Sequence, residues 1–122
     1  MTRWFLILGF LAALSGCNSA TGTGTGVSAS CAGSVPASCP TVIPSYKTDV
    51  APLLETYCAS CHAAGGQQSN KPLDTYAGAS ALATDMEGVI ASCNMPPQND
   101  AQPTTAEQTT ILAWIVCGAP DN

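Results

Sequence analysis

Positive charge is nearly missing from this chain: three Lys and Arg stand among 122 residues, against eight Asp and Glu. Binding of nucleic acid needs a basic face, so that class of partner is excluded. Histidine is scarcer still, with a single one at position 62. Long apolar runs are lacking too. Residues 6–14 form the one uninterrupted apolar block, broken only by Gly9, and it is too short to span a bilayer. Aromatic residues make up 6% of the chain, so large core side chains are few. Strand-like alternation and internal repeats are also missing, which leaves β architectures without support.

What is present begins at the N-terminus. The apolar block follows a short basic start (Met1, Thr2, Arg3) and reads as the core of a secretory signal peptide. It closes in Leu14-Ser15-Gly16-Cys17, which resembles a bacterial lipobox. That resemblance implies cleavage before Cys17 and acylation of its thiol; the alternative is an ordinary signal cut near Ala20. The expected location is the bacterial cell envelope, periplasmic or outer surface, with the chain lipid-anchored. The formal net charge of −5 becomes −6 once Arg3 is removed, with Lys47 and Lys71 the remaining cations. So acidic a surface suits a basic docking partner.

Residues 17–41 read as an acylated, flexible tether, because "NSATGTGTGVSAS" is Gly, Thr, Ser, Ala and Asn apart from one valine. Beyond the membrane, thiols not bound to a cofactor tend to form disulfides. With Cys17 on lipid and Cys58 and Cys61 on a cofactor, Cys31, Cys39, Cys93 and Cys117 remain, and they allow three pairings. Cys31 with Cys39 and Cys93 with Cys117 is the pairing that keeps the tether separate from the domain. The folded domain is then 42–122, a small all-α unit.

Three helical segments are expected in it. In residues 45–60, Tyr46, Val50, Leu53, Leu54 and Tyr57 make one apolar stripe, with Pro52 in the first turn of a regular helix starting near Ala51. Residues 75–91 carry Leu82, Met86, Val89 and Ile90 on one side. The last helix opens at Thr104 or Thr105, each heading a capping-box pattern, and stops at Gly118. So small a domain with so few large apolar residues needs a staple, a metal or a cofactor.

The sole histidine closes "CASCH", residues 58–62. Cys58 and Cys61 lie three apart on a helix, so their sulfurs share a face, and His62 follows directly. Two thioethers to a haem with an axial imidazole beside them need this order. Zinc is a rival, with Cys58, Cys61, His62 and either Cys93 or Cys117 as ligands, although zinc sites draw ligands as separated pairs. A redox dithiol is another, although its usual βαβ setting is missing.

Around that motif stand "YKTDVAPLL" (46–54), "NMPP" (94–97) and "LAWIVCGA" (112–119). Together with it they make residues 42–122 similar to the small monohaem c-type cytochromes. The resemblance implies a helical domain wrapped around one covalent haem c, with His62 and Met95 as the axial ligands to iron. Met95 can also be weighed alone. It precedes Pro96-Pro97, which biases its backbone away from the helix, whereas Met86 shares a helical face with Leu82 and Ile90 as a core residue would. The alternatives are a surface methionine, or Met86 as ligand. Trp114 and Tyr57 read as core packing and Lys71 as a solvated charge, while Tyr46 is a candidate partner for a haem propionate. Many single-haem members lack cysteines such as Cys93 and Cys117.

The expected function is that of a membrane-anchored electron carrier serving redox protein partners, and no enzyme. Two alternatives stand beside it: a haem-based sensor or peroxidase-like enzyme with a displaceable Met95, and a fixed cytochrome subunit of a respiratory complex.

Overall fold

Residues 34–122 are described by the computed structural model. The expected signal peptide, Cys17 and Cys31 lie outside them. Every regular element among the described residues is helical.

Ser45 opens the first helical path. Its hydroxyl accepts from the Thr48 N–H at 3.3 Å, and its own N–H donates to Asp49 Oδ2 at 2.8 Å. A π-helical turn, Tyr46–Val50, follows, and then α1, Ala51–Tyr57, with Pro52 in its first turn. Proline lacks an N–H and its ring crowds the carbonyl four residues back. The regular helix therefore begins only at Ala51, as the sequence implies, and the turn before it is wound wider. At Cys58 the backbone leaves helical geometry (φ −124°), and α2, Ala59–His62, restarts it.

The expected middle helix is two helices, α3, Tyr76–Ala81, and α4, Ala83–Ala91, separated at Leu82 (φ −100°, ψ 4°). Thr75 caps α3 by accepting from the Gly78 N–H. The third helix agrees with the sequence reading. Thr104 and Glu107 complete a reciprocal capping box, α5 runs Thr105–Val116, and Gly118 takes the left-handed position (φ 87°) after it. Both α4 and α5 end in Schellman turns. Gly118 and Ala119 donate to Ile115 and Trp114, while Cys93 and Asn94 donate to Ile90 and Val89. In the α4 turn the left-handed residue is Cys93 (φ 59°) rather than glycine.

α5 is the central element, buried continuously from Ile111 to Ile115. Val50 and Leu54 pack against it, and Tyr46 sits between Trp114 of α5 (ring centroids 5.4 Å apart) and Tyr76 (5.0 Å). The C-terminal tail folds back on this core. Trp114 Nε1 donates to the Pro120 carbonyl and the Tyr76 hydroxyl to that of Ala119. At the same end the Ser45 hydroxyl and Lys47 N–H donate to the Asn122 carbonyl, and the Tyr46 N–H to Asn122 Oδ1.

That meeting of chain ends explains a correction. Cys117 is bonded to Cys39, with Cα atoms 4.7 Å apart, and not to Cys93, the partner the tether argument favours. The expected Cys31–Cys39 and Cys93–Cys117 pairs are therefore not formed. Cys93 is itself disulfide-bonded, to a partner outside the described residues. Ser45 is fixed beside Asn122, and the six residues back to Cys39 bring that thiol to the end of α5. A Gly- and Ser-rich composition gives a segment freedom in isolation, but a covalent staple overrides it. Cys39, inside the segment expected to be free tether, is thus tied to the helical domain.

Candidate cofactor site

A cavity of 440 Å³ opens among α1, α2, α4 and the loop that leads into α5. Cys58, Cys61, His62 and Met95 all line it, together with Leu73, Leu82, Met86, Val89, Ile90 and Ile111. The volume lies within the roughly 300–1,000 Å³ of pockets that hold cofactor-sized ligands. Apolar side chains make most of its wall, and polar groups such as Lys71, Asp85 and Asp100 also line it.

One wall is built from backbone. His62 Nδ1 lies 2.9 Å from the Lys71 carbonyl oxygen. A carbonyl can only accept, so Nδ1 carries the hydrogen, which in the neutral ring leaves the lone pair on Nε2, the tautomer a metal-binding imidazole needs. A second bond, from the Leu73 N–H to the His62 carbonyl at 2.8 Å, ties the same loop to the same residue. Behind the loop, α3 presses Gly78 against Pro72 so closely that a Cβ would overlap the Pro72 carbonyl. Only glycine permits that approach.

Cys58 and Cys61 are both free thiols, half-buried on this wall. Burial, with Cys61 nearby, pushes the Cys58 thiol up to about 11. It is the opposite of the acidic, exposed thiolate that a disulfide oxidoreductase needs. For zinc, both proposed fourth ligands are consumed, since Cys93 and Cys117 are in disulfides. Among the described residues no group of three or more His, Cys, Asp or Glu is arranged to hold an ion.

The opposite wall is built from side chains and a loop. The Schellman turn at Cys93 reverses the chain, and the Met95 N–H donates to the Val89 carbonyl at 3.1 Å. Met95 is 40% exposed, whereas Met86, on α4, is 5% exposed within the core cluster. Both thioethers line the cavity, but Met86 is held by packing and Met95 is on the more exposed loop. Tyr57 links the walls: its hydroxyl donates to Glu107 Oε2 at 3.1 Å. Desolvation first, then that hydrogen bond, raises the Tyr57 phenol above its ordinary value.

The four residues singled out in the sequence thus surround one cavity. Tyr46 does not line it; it is buried against Trp114 and Tyr76. One contributor escaped sequence reasoning, the Lys71 carbonyl, because a backbone acceptor has no signature of its own. No protein-family model matches the chain, and no characterised protein or solved structure does either.

Proposed function

We propose that this protein is a c-type cytochrome that carries single electrons. The observation that carries the reading is the convergence of Cys58, Cys61, His62 and Met95, drawn from two separated segments, on one largely apolar cavity. Cys58 and Cys61 would hold a haem c through two thioethers, and the His62 imidazole and the Met95 thioether would bind its iron. When bound, such a group supplies one-electron exchange, and thioether ligation favours its reduced form. The chain's own part is to orient and to exclude water. The Lys71 carbonyl fixes the His62 ring, Leu73, Ile90 and Ile111 keep the pocket apolar, and the Pro96-Pro97 segment presents Met95.

The Cys39–Cys117 disulfide supports export, because such bonds persist in oxidising compartments. With Cys17 acylated, the carrier would be confined to a membrane surface of the cell envelope. Its acidic face would suit redox partners with basic docking surfaces, either as a shuttle or as a fixed subunit of a respiratory complex. A second reading has an observation of its own: Met95 is 40% exposed on a loop, which favours a sensor or peroxidase-like enzyme from which it can leave.

Visible spectra of the purified protein, oxidised and reduced, test the proposal, together with intact mass after denaturation and acid–acetone extraction. A haem that stays attached, with its absorption maxima, is expected. A colourless protein of unmodified mass would refute it. Carbon monoxide added to the reduced protein separates the two readings, since a firmly held Met95 excludes it.

A further inference from the structure

Between Met95 and α5 the chain runs Pro96-Pro97-Gln98-Asn99-Asp100-Ala101-Gln102-Pro103. Three of these residues are prolines and have no N–H to give. Among the described residues this stretch makes a single backbone–backbone hydrogen bond of its own, from the Asp100 N–H to the Pro97 carbonyl at 2.9 Å. Beyond that bond and the burial of Pro96 and Pro103, one side chain ties the loop's carbonyls together. Gln102 Nε2 lies 2.8 Å from the Pro97 carbonyl and 3.2 Å from those of Pro96 and Asp100. The assignment of the amide is forced, because the reverse orientation would set Oε1 against three carbonyl oxygens. Two amide hydrogens serve three acceptors, so one is shared.

Resting on the haem reading, we infer that Gln102 is a positioning residue for Met95: its amide gathers the carbonyls of Pro96, Pro97 and Asp100 and so holds the methionine loop against the cavity. Pro96 and Pro103 are buried at either end of the loop, while Gln102 itself is half-buried. Two of the three bonds are solvent-exposed, so water can replace the amide without much loss of stability. Water has the same two donors but is not tethered to the chain, so it does not fix the three carbonyls relative to the start of α5. Losing the amide should therefore free the loop far more than it destabilises the domain, and that separates positioning from mere structure.

The experiment uses the haem-loaded protein and two variants. Gln102→Glu keeps the size and replaces the donor with an acceptor, while Gln102→Met keeps the length and removes polarity. The readouts are the methionine sulfur–iron charge-transfer band, carbon monoxide affinity of the reduced protein, and melting temperature. Both variants should weaken the band and raise carbon monoxide affinity by about tenfold or more, as expected if the methionine-off population grows by that factor. The melting temperature should shift by only a few degrees. Gln98→Glu, which adds the same charge at an exposed position of the same loop, should leave band and affinity unchanged. If Gln102→Glu does not fold, Gln102→Met alone decides. Variants that keep the band and exclude carbon monoxide as wild type does would overturn the inference, and so would a Gln98→Glu that behaves like Gln102→Glu. A wild-type protein with no covalent haem overturns the functional reading as well; one with haem but no methionine band overturns the role of Met95 and this inference alone.

Discussion

The two walls of the cavity are held by different means. His62 stands on a helix, and two hydrogen bonds link it to Lys71 and Leu73, with α3 wedged behind them. Met95 stands on a proline loop tied by the helix turn and disulfide at Cys93 on one side and by one side-chain amide beyond it. Backbone bonds close to a helix break only with the helix, whereas a side-chain clamp on a loop opens locally. The imidazole side should therefore persist under stress that releases the thioether side.

The largest expected effect tests whether the comparison has a subject. Replacing both Cys58 and Cys61 by Ala should give a protein without covalent haem and with no cooperative unfolding transition. A chain of this size has little core to spare for an open, largely apolar 440 Å³ cavity with nothing to fill it. Circular dichroism and thermal melting check it. A double variant as helical and heat-resistant as wild type would show that the cavity is not a cofactor site.

Next comes the staple that belongs to neither wall. Cys39 and Cys117 are 78 positions apart, and on the chain-entropy model closing so long a loop contributes about 4.5 kcal/mol, less any strain. Cys39→Ser with Cys117→Ser should lower the melting temperature steeply yet leave the methionine band intact in protein kept below that temperature. The bond joins the domain's start to the end of α5, far in sequence from the methionine loop. Loss of the band at low temperature would mean that the two ends of α5 are coupled, and that the walls are not independent.

A smaller change addresses the imidazole wall. Gly78→Ala forces α3 away from Pro72 and shifts the Lys71 carbonyl, an overpacking that costs about 1–3 kcal/mol. The stability loss should be accompanied by a changed reduction potential, because the hydrogen bond from His62 Nδ1 tunes its basicity. Potentiometry checks this. An unchanged potential would mean that the loop can slide without disturbing His62.

How far all this was legible in the sequence depends on the range of the interaction. Local signals were read correctly: Pro52 delaying α1, the Thr104–Glu107 box opening α5, Gly118 closing it. Cys58, Cys61 and His62, singled out from five consecutive residues, and Met95, singled out beside its prolines, line one cavity, and their role there is the proposal above. The break at Leu82 was not legible, since nothing in that Ala-rich run lowers helix propensity sharply there. The disulfide partner of Cys117 was not legible either. It depends on Ser45 meeting Asn122 across 77 positions, and composition carries no trace of that contact.

The smallest expected effect lies on the strut between the walls. Glu107 accepts from the Thr104 N–H at 2.7 Å, the Thr104 hydroxyl at 2.8 Å and the Tyr57 hydroxyl at 3.1 Å, all on Oε2. The Thr104 backbone bond first, then its hydroxyl, holds the carboxyl below its ordinary 4.5, with the Tyr57 hydroxyl adding to them. A carboxylate depressed by folding stabilises the native state fully above its unfolded pKa. The contribution is lost as pH falls from about 4.5 through the lower folded value. Glu107→Gln keeps an accepting oxygen and cannot titrate, so its melting temperature should fall less than wild type's across that window. The difference between the two curves isolates Glu107 from the other carboxylates. Removing the cap outright, with Thr104→Ala, should cost about 1 kcal/mol at neutral pH. If the strut couples the walls, acid should weaken the methionine band in wild type before the protein melts, and Tyr57→Phe should weaken it at neutral pH. A band insensitive to both, with melting curves behaving as described, would leave Glu107 a helix cap and nothing more.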